Sequence, residues 1–248
     1  MKERAATRPA LQLDATQTRA IKFIGDVYFR MTLALLTSAA IGYLSIQSGL
    51  LLWGFQNLGR GFSLAIFGSQ LMTVIAFQGS IFKMKSSTSH LLFGLYAALT
   101  GLTLGMVGLI YTFDSIVTVG FAASAGFLTL VGFGKLTKRD LGPIGTFCIM
   151  GLMMLMVYSL GVWVASFFTN SAGFMNAASK IQGFVGVLLF AGITAYESQR
   201  LKKLAYNLAE QAPSDAAVEA YVSAGALNMY MNFIGIFLSL MRLMGSRR

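Results

Sequence analysis

Apolar residues in this chain gather into long runs separated by short polar stretches, without the alternation of a half-buried strand. A helix needs roughly 20 mainly apolar residues to cross the hydrocarbon core of a bilayer. On that template the pattern predicts seven spans: Met31–Trp53, Phe62–Phe82, Leu91–Tyr111, Ile116–Gly134, Ile144–Phe168, Ile181–Tyr196 and Val222–Met244. The expected fold class is an all-α membrane protein, with a single seven-helix transmembrane domain over residues 31–244. Residues 1–30 are polar and mixed in charge, and they read as a cytoplasmic N-terminal tail, not a cleavable signal peptide. Residues 245–248 form a short C-terminal tail, and the longest internal polar connection runs from Glu197 to Tyr221.

Two of the predicted spans show which face they bury. In the third, Gly94, Ala98, Gly101, Gly105 and Gly108 recur at helical spacing and form a smooth stripe for a neighbouring helix. In the seventh, Gly225, Asn228, Asn232, Gly235, Ser239 and Arg242 form a second stripe, among large apolar residues. Hydrocarbon offers no partner to an amide, so this last helix is expected to be surrounded by protein or to line a wet cavity. Whether its amides serve an ion path or merely bond to neighbouring helices is open at this point.

Composition agrees with a polytopic membrane protein. The chain is 56% hydrophobic and 11% charged, against roughly 25% charged in soluble domains. A single cysteine, Cys148, and a single histidine, His90, exclude a disulfide framework and the usual zinc constellations. No nucleophile elbow, zinc-protease helix or phosphate-binding loop occurs, so the chain is not read as an enzyme and no resident cofactor is expected. Its 14 Met residues read as packing, and His90 as an interfacial residue just before the third span.

The net charge of +10 would suit nucleic acid, but in a membrane protein excess Lys and Arg mark cytoplasmic loops. The expected partner is therefore the lipid bilayer and not nucleic acid. With the N-terminus in the cytoplasm, 14 of the 19 Lys and Arg residues fall on that side, which orients the chain and sends the C-terminus outside. Compact loops and the lack of a long targeting peptide favour a bacterial inner membrane.

Few acidic residues are available for chemistry. Asp114 sits in a short outer loop, and Asp140, in "KLTKRDLGP", is placed to cap the fifth span, since a carboxylate suits a helix N-terminus. Glu197 closes the sixth predicted span with Arg200 one turn on. It either pairs with Arg200 at the water line or turns inward, where ionisable groups mark ion and proton paths.

Three stretches together resemble the Bax inhibitor family of membrane proteins: "GFAASAGFLTLVGFGKLTKRDLGPIG", "GFVGVLLFAGITAYESQRLKK" and "ALNMYMNFIGIFLSLMRLMG". With "VYFRMTLALLTSAAIGYL" near the start, the likeness extends from the first helix to the last. The resemblance implies a seven-helix fold whose last helix is central and wrapped by the other six. It also implies a pH-sensitive calcium leak and, in bacterial members, modulation of a membrane-embedded AAA protease; the alternative to a leak is a non-conducting interaction protein that modulates such a protease.

The family leak is attributed to facing Asp residues on the sixth and seventh helices, with a basic residue near the end of the second. Those positions correspond here to Glu197, Asn232 and Lys83, with Asn228 one turn before Asn232. Both acidic positions depart from the Asp-Asp pattern. Glu197 keeps the charge on a longer arm, while Asn232 removes one, so the proton-sharing pair is incomplete. Calcium takes about 6–8 oxygens, so Glu197 and Asn232 are expected to hold it only weakly and in passing. Glu197 is expected to end its helix and face inward.

Overall fold

The computed structural model describes residues 3–80, 86–168, 171–211 and 213–247. Among these it forms eight helices: α1 (Glu3–Gln47), α2 (Leu50–Leu58), α3 (Arg60–Ser80), α4 (Ser86–Ile110), α5 (Phe113–Leu136), α6 (Gly142–Ala165), α7 (Ala172–Gln211) and α8 (Asp215–Met244). Seven are long and apolar enough to cross a membrane, and the nine-residue α2 is the remaining one. The fold is all-helical.

Helix limits differ from the apolar runs at several points, and α8 for one begins at Asp215, seven residues before its run; three other differences are larger or change the helix count. The segment read as a tail is helical, because α1 begins at Glu3 and continues unbroken to Gln47. At 1.5 Å per residue its 45 residues extend about 67 Å, roughly twice the hydrocarbon thickness. Its polar part keeps one apolar edge: Ala20, Phe23, Val27, Met31 and Ala34 are all buried, at steps of three and four residues.

The second difference lies at the end of the first run. Leu50–Trp53 continues the apolar sequence, yet α1 stops at Gln47 and Gly49 turns the chain with φ 71°. That left-handed conformation suits glycine and starts the separate helix α2. The third concerns α7, whose 40 residues run from Ala172 to Gln211. Glu197 therefore lies within a helix and does not end one. Past it, Leu201, Ala205 and Leu208 are buried and supply the face that keeps this polar extension helical.

The chain organises into two compact units, Met1–Val107 with Arg200–Tyr230 and Gly108–Gln199 with Met231–Arg248. In the first, α1 and α4 pack through glycine. A Cβ on Gly101 would come within 2.8 Å of both Ile41 Cβ and the Ser38 carbonyl oxygen, and one on Gly105 within 3.0 Å of the Gly42 oxygen. Gly94, on the same α4 stripe, has open space around it, so only the later part of the stripe makes the close approach. The first half of α8 sits against Val27 of α1 and Leu201 of α7 at Gly225. Tyr230 ends that half, fully buried and edge-on to Phe93 and Tyr96 of α4 at 5.9 and 5.8 Å.

In the second unit α7 is the common neighbour. Gly192 lies beside Cys148, Gly151 beside Leu189 and Gly145 beside Tyr196, which brings α6 close to α7 around a core of Cys148, Leu189 and Ile193. Gly134 of α5 meets the backbone of Ala195. Gly183 and Gly186 meet Ser239 of α8, and Gly235 of α8 meets Phe190. Phe127 of α5 stacks edge-on to Phe233 at 5.5 Å. Just beyond α8, the Thr112 amide donates to the Ser246 oxygen at 3.0 Å, and Arg247 donates to Asn176 Oδ1 at 2.5 Å. Across the fold, α8 has the most buried membrane stretch, with 61% of its most apolar window inside the protein against 33% or less for every other span.

Candidate functional site

Glu197 and Asn232 belong to the second unit, on the helices that pack through Gly183, Gly186 and Gly235. From Gly183 and Phe190, steps of seven residues reach Glu197, so the 3.6-residue period puts it on the stripe of α7 that meets α8. On α8, Asn232 precedes Gly235 by three residues and lies on the stripe that meets α7. The antiparallel register set by Gly186 with Ser239 and Phe190 with Gly235 brings Ile193 level with Asn232, with Glu197 about one turn further along.

The surroundings differ in polarity. Glu197 is partly buried, flanked on α7 by the fully buried Thr194 and Ser198. Both hydroxyls donate back to carbonyls four residues earlier, at 2.6 and 2.7 Å, and so use up their protons within the helix. Asn232 is 6% exposed, and its Nδ2 has no hydrogen-bond partner. A buried donor left unpaired costs about 1–3 kcal/mol, so this amide is a point of stored cost in the most buried span. Asn228, one turn earlier on α8, is partly buried and belongs to the first unit. Lys83 lies outside the described residues. Among those described, no three His, Cys, Asp or Glu side chains gather where they could hold a metal ion. The oxygen donors at the pair are one carboxylate and one amide.

Asp140 lies one residue before the position expected of a helix cap. The residue flanking α6 is Leu141, which makes no side-chain cap, and the Asp140 carboxylate accepts a long 3.4 Å bond from the Gly142 amide. The stronger anchor of this turn is Gln199, which sequence reading passed over. It is 7% exposed, accepts from the Leu141 amide at 3.0 Å and donates to the Arg139 oxygen at 2.7 Å. Gln199 thus fastens the α5–α6 turn to α7 two residues beyond Glu197. The signal in the sequence is an amide three residues past Tyr196, on the α7 face that Gly145 of α6 meets.

A second polar cluster, also passed over, lies in the first unit. Arg30 Nη2 contacts both carboxylate oxygens of Glu219, at 2.7 and 2.8 Å, while Nη1 donates to the buried Ser223 hydroxyl at 2.9 Å. His90 Nε2 lies 2.8 Å from Glu219 Oε1. The histidine expected at an interface therefore joins α4 to α8, and Arg30 joins α1 to the same carboxylate.

Seven apolar helices, the most buried of which carries amides, define a multi-pass α-helical membrane protein. A family profile described as "Inhibitor of apoptosis-promoting Bax1" matches residues 20–248, and the chain belongs to this Bax inhibitor family. It is 33% identical over 227 residues to "Inner membrane protein YbhL" of Escherichia coli (strain K12), covering 91% of this chain and 92% of that protein. It is also 34% identical over 228 residues to an uncharacterized protein of Borreliella burgdorferi, covering 92% and 93% of the two chains. "Uncharacterized protein RP147" of Rickettsia prowazekii is 34% identical, with 92% and 90% covered.

Proposed function

We propose that this chain is a channel-like calcium leak of a bacterial inner membrane, with its path beside Glu197 and Asn232. The observation that carries the reading is the unpaired Asn232 amide in the most buried span, on the stripe that meets the helix bearing Glu197. A polar pair inside a membrane domain is costly unless it serves permeation or a specific contact. One carboxylate and one amide suit a passing cation and are too few to retain calcium. Calcium flux through the purified protein in liposomes tests this. Glu197→Gln removes the charge at the pair and is expected to lower the flux. Unchanged flux in that variant sinks the reading.

The orientation proposed is N-terminus in the cytoplasm and C-terminus outside. In the second unit, Ser246 and Arg247 bond to residues at the start of α5 and α7, whereas Lys135, Lys138 and Arg139 lie at the other end of α5. That separation supports a last helix that crosses, and the positive-inside rule assigns the basic end to the cytoplasm. The inner-membrane assignment draws on the printed name of the Escherichia coli relative.

A second reading, a non-conducting partner that modulates a membrane AAA protease, is favoured by one feature. The polar N-terminal residues continue α1 as a helical arm from Glu3, which offers a handle beyond the membrane. Deleting Lys2–Arg19 is expected to weaken protease engagement through that arm, as read by co-purification. Retention of the protease by the truncated chain sinks this reading.

A further inference from the structure

We propose that the cleft between the polar part of α1, the end of α7 and the start of α8 binds the phosphoethanolamine headgroup of a membrane phospholipid. The cleft has a volume of about 480 Å³ and lies wholly in the first unit. Its rim carries Arg19, Lys22 and Asp26 from α1 and Asp215 from α8, over an apolar floor of the buried Phe23, Leu208 and Val222. The ion pairs among the described residues centre on Glu219, which also lines the cleft and is engaged by Arg30 and His90. Arg19, Lys22, Asp26 and Asp215 enter none of these pairs. Lys22 and Asp26 even stand four residues apart, a spacing at which opposite charges on a helix pair readily. Two cations and two anions are left facing one cavity.

A ligand that answers all four carries one negative and one positive group. Arg19 and Lys22 are three residues apart on one helix face, so both can turn to the same anion. A phosphate has the oxygens to use a guanidinium and an ammonium together. Asp26 and Asp215 only accept hydrogen bonds, so the positive group must have N–H bonds to donate, and a primary ammonium has three. The four side chains sum to zero charge, as does a phosphodiester joined to an ammonium. A phosphate alone leaves both carboxylates unanswered. A choline nitrogen, fully methylated, has no N–H to give them.

The lipid source follows from where the cleft opens. Val222, on its floor, begins the last apolar run, and Asp26 stands five residues before Met31, where the first begins. Five residues of helix rise about 7 Å. That is roughly the depth of a headgroup layer, since a bilayer of about 40–45 Å has a hydrocarbon core of about 30 Å. The α1 stripe that carries Lys22 and Asp26 continues at helical spacing as Phe29, Leu33 and Leu36, all exposed. Acyl chains lying on that stripe lead straight to the charged rim. The site does not depend on calcium conduction, and its test reads lipid binding only, so the two readings fail separately.

Native mass spectrometry of the full chain in detergent is the measurement, with phosphatidylethanolamine, phosphatidylcholine or phosphatidylglycerol of identical acyl chains titrated in. Wild type is expected to bind phosphatidylethanolamine about tenfold more tightly than either of the others, the scale of one charge-assisted hydrogen bond. Asp26→Asn with Asp215→Asn removes the ammonium's partners and is expected to erase the preference over phosphatidylcholine. Arg19→Gln with Lys22→Gln is expected to weaken phosphatidylethanolamine and phosphatidylglycerol together. Free phosphoethanolamine lacks the chains and is expected to compete at least about tenfold more weakly than the lipid. Equal wild-type affinity for phosphatidylethanolamine and phosphatidylcholine, or a preference that survives the paired aspartate variant, overturns the headgroup site. Free phosphoethanolamine binding as tightly as the lipid overturns the membrane source.

Discussion

The hydroxyls of Ser38 and Tyr230 lie 2.6 Å apart, joining the last quarter of α1 to the middle of α8. Ser38 Oγ also lies 2.7 Å from the Ala97 carbonyl oxygen, so this serine binds α1, α4 and α8 at one point. Both residues are fully buried. Removing the phenol hydroxyl while keeping the ring, in Tyr230→Phe, is expected to cost about 0.6 kcal/mol, the average for hydrogen bonds between membrane helices. Tyr230→Ala also strips the edge-on contacts with Phe93 and Tyr96 and is expected to cost about 3–5 kcal/mol. Thermal unfolding in detergent ranks the two; equal loss in both would mean that the ring contributes little.

Glycines separate by the yield of folded protein according to what faces them. Gly134 of α5 meets the Ala195 backbone, which cannot move aside without shifting α7, while Gly126 on the same helix has open space. Gly134→Val is expected to prevent recovery of folded protein from membranes. Gly126→Ala is expected to be tolerated, since alanine is the better helix former. Comparable yields of the two would show that α5 does not pack tightly through Gly134.

The seven spans were legible because hydrocarbon imposes a length and an apolarity that sequence displays directly. The limits of α1 and α7 were not, because run-length reading follows mean polarity and these helices leave the apolar run while keeping a narrow buried edge. Ala20, Phe23 and Val27, and again Leu201, Ala205 and Leu208, carry that edge at helical spacing. Period, not hydropathy, would have revealed it. The stop at Gly49 was hidden for the opposite reason: Leu50–Trp53 is apolar enough to continue a span, and one backbone angle overrides it.

The candidate site was legible in part. Glu197 and Asn232 could be singled out as polar residues in an apolar setting. The contact of His90 with Glu219 joins residues far apart in the chain, and nothing local marks either as the other's partner. Gln199 was missed because its partners are backbone atoms of a turn, which have no signature in side-chain identity.

That turn gives the third prediction. Leu141 is buried, and its amide is satisfied by the Gln199 oxygen. Gln199→Met preserves length and removes the acceptor, leaving the amide unpaired at a cost of about 1–3 kcal/mol. Asp140→Ala removes the long bond to Gly142 and is expected to cost less, about 1 kcal/mol, as for an exposed acceptor near a helix start. A larger loss from Asp140→Ala than from Gln199→Met, by thermal unfolding, would reverse the assignment of which residue anchors the turn.

The last prediction concerns Asn232, where the chain departs furthest from the paired-carboxylate pattern. Asn232→Asp puts a second carboxylate on the α8 stripe that meets the stripe bearing Glu197. Two carboxylates in a poorly hydrated place do not both ionise cheaply and come to share a proton. Flux through this variant is therefore expected to change between about pH 6 and pH 8, while Glu197→Gln lowers flux without adding pH dependence. The double variant Glu197→Gln, Asn232→Asp has one carboxylate again, and the added pH dependence is expected to disappear if the two positions act as a unit. Calcium flux in liposomes across that window measures all three. If Asn232→Asp leaves both the flux and its pH profile unchanged, the two positions are uncoupled, and the chain is better read as a binding partner that keeps the family fold without its ion path.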